Sequence, residues 1–239
     1  MSEFEAVVVG AVNLGEADRI YRVVTAEQGR LSFVVRGVRS SKKRWAGVFD
    51  LGNVVRCRLG SRRSNLPRLH EAECLETPRK ARQDLDRVAL LAYGLEVCSG
   101  LAPEHDEAGK LYTLLRTWLL VLEAQVAPAS AARVALEGKA LTFAGIAPRL
   151  VRCVRCAEEA CDPLRFDADS GGVLHQHCGG GRSLAAHTAA VVEGLRRTPL
   201  AETLGREAPG EARALLADFI EYQLARAIRS RGLVDELGL

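Results

Sequence analysis

The sequence predicts an α+β multidomain protein, in which an N-terminal antiparallel β-barrel is followed by an α-helical bundle domain. Apolar residues recur with a period of about two up to residue 77, and with a period of about 3.6 after Pro78. The 239 residues are 48% hydrophobic and 26% charged, which is enough for a core in one large domain or two ordinary ones. The change of period predicts a first domain over residues 1–78 and a second over residues 79–239.

Five strands are predicted in the first domain, at Phe4–Val12, Arg19–Thr25, Arg30–Val38, Asn53–Leu59 and Pro67–Leu75. In the third strand Leu31, Phe33 and Val35 fall on one face, as expected of a sheet with one side in the core. Turns at Gly15 and Gly29 join the first three strands closely enough for an antiparallel meander. Five short antiparallel strands in this length are typical of the OB-fold, a Greek-key barrel.

Five helices are predicted in the second domain. The first two, at Ala81–Leu101 and Lys110–Val126, are amphipathic, and the third begins with Ser130 as its N-cap and runs to Gly145. A cysteine-rich insert over residues 150–182 separates the third helix from the fourth. The fourth and fifth helices are expected after the insert, at Ser183–Arg197 and Glu211–Arg231.

Positive charge is concentrated in the first domain. Residues 1–80 hold 15 Lys and Arg against nine Asp and Glu, whereas residues 81–239 hold 18 against 21. Between Arg36 and Arg63 there are nine cations and one acid, Asp50. Such a density indicates a polyanionic partner whose binding weakens as salt rises. The predicted nucleic-acid-binding residues are Arg19, Arg36, Arg39, Lys42, Lys43, Arg44, Arg56, Arg58, Arg62 and Arg63.

The connection after Arg39 contains other groups that suit nucleic acid. The hydroxyls of Ser40 and Ser41 could reach phosphate oxygens, and a base could stack on the indole of Trp45. Because Phe, Trp and Tyr make up only 5% of the chain, we expect phosphate-dominated binding with little base specificity. The alternative for this charge run is a solvated loop without a ligand.

The insert contains the spacing of a metal site. Cys153 and Cys156 form a C-x2-C pair, and His175 follows 19 residues after Cys156 and two residues before His177-Cys178. Two short chelating pairs separated by such a loop predict a structural tetrahedral Zn²⁺ site, which makes the segment a zinc-finger-like insert. Cys153, Cys156 and Cys178 are the predicted ligands. The fourth is His175, which completes an H-x2-C pair, or Cys161.

Other functions for the cysteines and acids carry less support. A thioredoxin-like redox pair needs a βαβ unit that the flanking residues do not supply, and Cys57, Cys74 and Cys98 fit small buried apolar residues. No phosphate-loop, dinucleotide-binding or nucleophile-elbow motif occurs, so we expect no enzyme. A zinc-dependent nuclease or deaminase would need an open site beside Glu158 or Glu159. The lack of a long apolar stretch and of a signal-peptide pattern favours the cytoplasm.

Several short segments resemble the bacterial RecO family of DNA repair and recombination mediators. Their order and spacing cover the barrel, and the C-x2-C pair followed by Gly171-Gly172 fits the C-terminal half of the family more loosely. At His175 this chain departs from the family, whose zinc-bearing members tend to have cysteine there. The segments are Ala6-Val7-Val8-Val9, Gly15-Glu16-Ala17-Asp18-Arg19-Ile20, Val24-Thr25, Gly29-Arg30-Leu31, Val35-Arg36-Gly37-Val38-Arg39 and Ala72-Glu73.

The resemblance implies a role beyond what the residues indicate. It implies binding to single- and double-stranded DNA, annealing of complementary strands, and nucleoid association. With RecR, such proteins help to load RecA onto strands coated with single-strand-binding protein, whose acidic tail they bind through the helical domain. An OB-type RNA-binding module would share every feature derived from the residues.

Overall fold

The computed structural model describes residues 3–40, 45–60 and 66–239. The chain divides into two compact units, Met1–Glu123 and Ala124–Leu239. Within the described residues, the first unit contains a five-stranded antiparallel sheet and two α-helices, and the second contains a three-stranded sheet and four α-helices. None of the helices described combines the length and the apolar character needed to cross a membrane.

The first five strands are β1 (Glu3–Leu14), β2 (Asp18–Thr25), β3 (Gly29–Val35), β4 (Val54–Leu59) and β5 (Leu69–Glu76). All five were predicted, but β3 ends at Val35 and does not continue to Val38. The chain turns at Gly37, which has a φ of 64° and donates its N–H to the Asp18 carboxylate at 2.8 Å. Glycine accepts this left-handed conformation without the steric cost of a Cβ.

The strands follow the order β3-β2-β1-β4-β5, and every neighbouring pair is antiparallel. The two end strands are linked by a parallel bridge between Val34 and Arg68, and the Val34 N–H donates to the Pro67 carbonyl at 2.9 Å. The sheet is therefore not closed by a full ladder. A partly open, five-stranded Greek-key barrel is the OB-fold, as the sequence predicts.

The barrel core is formed by the inward side chains of the strands together with two aromatic residues from the connection after β3. Leu31, Phe33 and Val35 are buried as the period-two pattern predicts. The ring of Phe49 lies 4.6 Å from Tyr21 and 5.9 Å from Trp45, measured between centroids. Trp45 is only 8% exposed.

Helices α1 (Leu85–Leu101) and α2 (Gly109–Leu122) complete the first unit. Helix α1 was predicted to start at Ala81, but Asp84 is its N-cap and accepts the Arg87 N–H at 2.8 Å, and a short 3₁₀ turn precedes it. Helix α2 ends at Leu122 and does not reach Val126. The two helices meet where the Trp118 indole donates to the Leu90 carbonyl at 3.1 Å.

The second unit contains α3 (Ser130–Phe143), α4 (Ala186–Arg197), α5 (Gly210–Leu224) and α6 (Arg231–Glu236). Ser130 is not the N-cap of α3: Ala129 holds that position, and the Ser130 hydroxyl instead accepts the Ala208 N–H at 2.8 Å. The predicted helix to Arg231 is broken, because Ala225 takes a left-handed φ of 51° at the end of α5.

Helix α3 is the centre of the second unit and contacts both α4 and α5. Its Arg133 is fully buried and lies 2.9 Å from the Glu137 carboxylate one turn later. The same guanidinium donates to the Asp235 carboxylate and to the Leu239 carbonyl, both at 2.7 Å. A buried cation needs such partners to offset its desolvation, so Arg133 fixes α6 and the residues after it to α3.

The cysteine-rich insert contains a small sheet that the sequence did not predict. Its strands are β6 (Leu164–Asp167), β7 (Gly172–His175) and β8 (Arg182–Leu184), in the order β7-β6-β8. Helix α4 begins at Ala186 instead of the predicted Ser183, because Ser183 belongs to β8. The ring of Phe166 packs edge-on against Phe219 of α5 at 5.6 Å, which joins the insert sheet to the helices.

Candidate nucleic-acid interface and metal centre

The first cysteine pair lies in a tight turn. Cys153 donates its N–H to the Glu158 carbonyl at 2.9 Å, and its own carbonyl accepts the Ala157 N–H at 3.0 Å. Ala157 takes a left-handed φ of 64°, which reverses the chain directly after Cys156. The turn therefore presents both thiols of the C-x2-C pair to one side.

The second pair is brought to the first by β7. Val154, between the two cysteines, donates its N–H to Val173 of β7 at 2.9 Å, and Val173 donates to Arg149 at the same distance. Gly172 makes this approach possible, since a Cβ there would lie 2.4 Å from the Arg149 carbonyl oxygen. Strand β7 ends at His175, and a 3₁₀ turn places Cys178 beside it.

Four donor atoms converge where the two pairs meet. The ligand atoms of Cys153, Cys156, His175 and Cys178 all lie within 4.8 Å of one another, and the His175 Nδ1 is 3.3 Å from the Cys156 Sγ. A tetrahedron with Zn–S bonds of about 2.3 Å has edges of roughly 3.5 to 3.8 Å, so the spacing suits such an ion. Three thiols and an imidazole are also the soft donors that tetrahedral Zn²⁺ sites use. The cluster could hold a metal ion.

The orientation of His175 distinguishes between the two candidates for the fourth position. Its Nε2 lies 3.0 Å from the Glu159 carbonyl oxygen, which can only accept, so Nε2 carries the proton and Nδ1 presents its lone pair to the thiols. Cys161 lies on the opposite side of the ring, with its Sγ 3.7 Å from Nε2. The structure thus groups His175 with the three cysteines and places Cys161 behind it.

The surroundings of the thiols affect their pKa values in opposite directions. Burial raises the pKa of the Cys153 thiol, but hydrogen bonds from backbone groups, with Cys156 and His175 foremost, outweigh it and bring that pKa to about 6. Burial raises the pKa of the Cys178 thiol to about 11, and the neighbouring thiols of Cys153 and Cys156 act in the same direction. Crowded thiolates repel one another, and a bound cation removes that repulsion.

The predicted nucleic-acid-binding residues of β4 are engaged with acids. Arg56 lies 3.0 Å from Glu5 of β1 and 3.4 Å from Glu73 of β5, and its hydrogen bond with Glu5 raises the pKa of the guanidinium. Arg58 pairs with Glu71. These neighbours follow from the strand register, in which β4 lies between β1 and β5. The two arginines keep their charge, but the adjacent carboxylates offset it.

The arginines near the β1–β2 turn have a different environment. In the described part of the chain, no carboxylate lies within ion-pair distance of Arg19, Arg36 or Arg39. Arg19 donates to the Asn13 side chain at 3.0 Å, and Arg39 donates to the Gly15 carbonyl at 3.1 Å. Both partners are neutral, so the positive charge stays uncompensated, and both Arg36 and Arg39 are exposed.

Five of the predicted cations lie outside the described residues: Lys42, Lys43, Arg44, Arg62 and Arg63. Ser41, predicted to contact phosphate, also lies outside them. Their contribution therefore rests on the sequence alone.

The expectation that Trp45 offers a stacking surface is wrong. Its indole belongs to the barrel core with Tyr21 and Phe49, and a base cannot reach it. Phe33 and Phe4 are buried as well. The aromatic residues of the barrel thus serve packing.

Sequence reasoning did not select Arg22 or Arg68, both of which are exposed on the barrel. Neither has a carboxylate within ion-pair distance among the residues that the structure describes. Arg22 could have been found from the period-two pattern, because it lies between Tyr21 and Val23, which face the core. Arg68 lies near the start of the fifth predicted strand, Pro67–Leu75, between Pro67 and Leu69.

The three isolated cysteines do not all behave alike. Cys57 and Cys98 are buried as predicted, and burial raises the pKa of each thiol to about 12. Cys74 is only half-buried, which corrects the prediction for that residue, and its Sγ lies 3.4 Å from the Thr77 hydroxyl.

Comparison with known proteins gives matches over nearly the whole chain. A family profile described as "Recombination protein O N terminal" matches residues 1–78, and one described as "Recombination protein O C terminal" matches residues 82–232. A DNA repair protein RecO of Anaeromyxobacter dehalogenans (strain 2CP-C) is 37% identical, with 97% of this chain and 95% of the relative aligned. Proteins of the same name from Myxococcus xanthus and Symbiobacterium thermophilum are 32% and 33% identical, each covering 98% of this chain, and 97% and 96% of their own lengths. With both halves matched in order, the chain belongs to the recombination protein O (RecO) family.

Proposed function

We propose that this protein binds single- and double-stranded DNA and acts as a recombination mediator in DNA repair. The observation that carries the proposal is the uncompensated positive charge of Arg19, Arg36 and Arg39 on one part of the barrel. In the sequence Lys42, Lys43 and Arg44 follow directly, with no acid among them. The relatives that match nearly the full chain are named DNA repair proteins, which supports the same role.

The chemistry of the mediator step is neutralisation of phosphates. Each cation that contacts a phosphate releases counterions, and two complementary strands with neutralised backbones repel each other less. The aromatic residues of the barrel are buried, so their rings do not stack on the bases of a bound strand. The base edges of such a strand stay free to pair. The protein is therefore expected to anneal complementary strands without nucleotide hydrolysis and to have no catalytic residues.

The partners that we propose are those that the family resemblance implies. The protein would act with RecR to load RecA onto strands coated with single-strand-binding protein, and would bind that protein's acidic tail through the helical unit. Its place would be the cytoplasm, on the DNA of the nucleoid. The names of the relatives support a role in DNA repair, and the family resemblance implies these partners and this location.

The metal in this proposal is structural Zn²⁺, held by the Sγ atoms of Cys153, Cys156 and Cys178 and by the Nδ1 of His175. Four protein ligands complete a tetrahedron and leave no position for a water nucleophile, which is typical of sites that stabilise folding. The insert has only three short strands of its own. Metal binding would therefore contribute much of the stability of the segment over residues 150–182.

A binding assay with the full chain tests the proposal. Fluorescence anisotropy would compare labelled single-stranded DNA, duplex DNA and RNA of matched sequence over a range of salt concentrations. We expect both DNA forms to bind, with the logarithm of the association constant falling linearly with the logarithm of salt. Preferential binding of RNA would favour the alternative RNA-binding function, and no binding to any of the three at low salt would refute the proposal.

A further inference from the structure

The described part of the insert contains a fifth metal donor beside the four that converge. The thiol of Cys161 is exposed, and its Sγ lies 3.7 Å from the Nε2 of His175. On the other side of the same ring, the Cys156 Sγ lies 3.3 Å from the Nδ1. One imidazole thus stands between two thiols, and the ring separates Cys161 from the cluster.

The turn that follows the C-x2-C pair brings Cys161 to this position. After the chain reverses, the Ala160 N–H donates to the Val151 carbonyl at 2.9 Å. Cys161 comes directly after that hydrogen bond, and the side chains of residues 161–163 are all exposed. A shift of this stretch toward the cluster would therefore leave the apolar packing of the unit in place.

The contacts that hold the His175 ring come from two exposed residues. Its Nε2 donates to the carbonyl of Glu159 at 3.0 Å, and the ring of His177 stacks on it with 5.2 Å between centroids and 7° between planes. Glu159 and His177 are both exposed. Because water can replace both contacts when the ring turns outward, a metal bond is the main interaction that the ring would lose.

Thiolates and imidazoles differ in softness, and this difference decides which ion prefers which ligand. Zn²⁺ accepts either three thiolates with an imidazole or four thiolates, since both sets occur in structural sites. A softer ion such as Cd²⁺ favours thiolate over imidazole. The five donors of this insert contain both sets, which share Cys153, Cys156 and Cys178.

Resting on the metal site of the proposed function, we propose that the insert is a five-donor site in which Cys161 can replace His175 as the fourth ligand. In the exchange the bond from the metal to the His175 Nδ1 breaks and the ring turns outward. The Cys161 thiol releases its proton to solvent as its Sγ binds the metal. A softer ion selects this second ligand set, and the same set remains when the imidazole is removed. The insert can therefore change one ligand without losing its metal.

Cadmium loading counts the thiolates that bind the metal. Each Cd–S bond adds to an ultraviolet charge-transfer band, so the full chain with one Cd²⁺ in place of zinc should absorb about a third more strongly than the Cys161→Ser variant with one Cd²⁺. A purely structural role of Cys161 would not change this count. Cys74→Ser is the matched control, because Cys74 is a half-buried thiol of β5 outside the insert, and its band should equal that of the unmodified protein.

Removal of the imidazole tests the exchange with zinc. His175→Ala should still bind about one zinc per chain, and cobalt in place of zinc should show the spectrum of four thiolates. In the double variant His175→Ala, Cys161→Ser three of the five donors remain, so its Kd for Zn²⁺ should be at least about 100-fold higher than that of His175→Ala. Competition with a chromogenic chelator measures both constants, and the cadmium comparison remains decisive if either variant fails to fold.

The outcomes separate this inference from the proposed function. If cadmium absorbs equally in the unmodified protein and in Cys161→Ser, or if His175→Ala and the double variant bind zinc with equal Kd, the exchange is refuted, while the site of three thiolates and one imidazole stands. If the unmodified protein binds neither Zn²⁺ nor Cd²⁺, the metal site of the proposed function itself fails.

Discussion

At the scale of single residues, the imidazole of His175 determines what the cysteine cluster can do. One ring nitrogen donates to the Glu159 carbonyl, which leaves the other to act as a donor toward a metal. The hydrogen bond to the Glu159 carbonyl fixes both the tautomer and the plane of the ring. It also separates Cys161 from the other three thiols of the insert, because that thiol lies on the protonated side of the ring.

The first prediction compares two cysteines of the insert. Cys178→Ser should lose bound zinc, because it removes one of the four converging donors, whereas Cys161→Ser should keep about one zinc per chain. Elemental analysis of the purified proteins measures both, and thermal denaturation should show a lower midpoint for Cys178→Ser alone. Zinc loss in Cys161→Ser, or an unmodified protein purified without zinc, would contradict the ligand set.

The second prediction concerns Trp45. Trp45→Ala should lower the free energy of unfolding by about 3 kcal/mol, because it empties part of the barrel core next to Phe49. Denaturant titration measures this change. Where the variant is folded, its Kd for DNA should stay within about twofold of that of the unmodified protein, and a clearly higher Kd would show that the indole stacks on the DNA.

Some residue positions could be predicted from the sequence and others could not. The period-two pattern identifies Phe33 and Cys57 as inward residues, because alternation along a strand reports on one side of a sheet. Trp45 lies in a connection that has no period, so its burial depends on how the loop crosses the barrel. The acids beside Arg56 are 51 and 17 residues away in sequence, and only the register of three strands brings them together.

At the scale of elements, the long strands and helices could be predicted, while the short strands could not. Strands β6, β7 and β8 contain only three or four residues each, too few to establish a period. The end of α5 was also missed, since Ala225 is not a residue that usually takes a left-handed φ. In the insert, the C-x2-C and H-x2-C spacings carry the information that periodicity does not.

The third prediction concerns the connection between β3 and β4. Replacing Arg39, Lys42, Lys43 and Arg44 together by Ala should weaken binding to every DNA sequence and reduce the salt slope by roughly 3 to 4. Arg56→Ala is the comparison, and its effect on the slope should be well below one, because Glu5 and Glu73 already offset its charge. Unchanged affinity of the folded quadruple variant at low salt would exclude this connection from the interface.

At the scale of the whole molecule, compactness and sequence place the boundary between the two parts of the chain at different residues. The compact units meet at Glu123, which places α1 and α2 with the barrel strands. The family profiles divide near residue 80, as does the change of sequence period after Pro78. A boundary after Pro78 stays a prediction: periodicity responds to the type of element, whereas compactness depends on which elements pack together.

The central claim is that a basic OB-fold barrel in this chain neutralises DNA backbones and mediates strand pairing without catalysis. The most direct test measures the rate at which complementary oligonucleotides pair in the presence of the purified protein. We expect faster pairing than in buffer alone with no ATP or added divalent metal, no change when ATP is added, and a gradual loss of the effect from low to high salt. Pairing that requires ATP, or cleavage of the strands in the same reaction, would contradict the account.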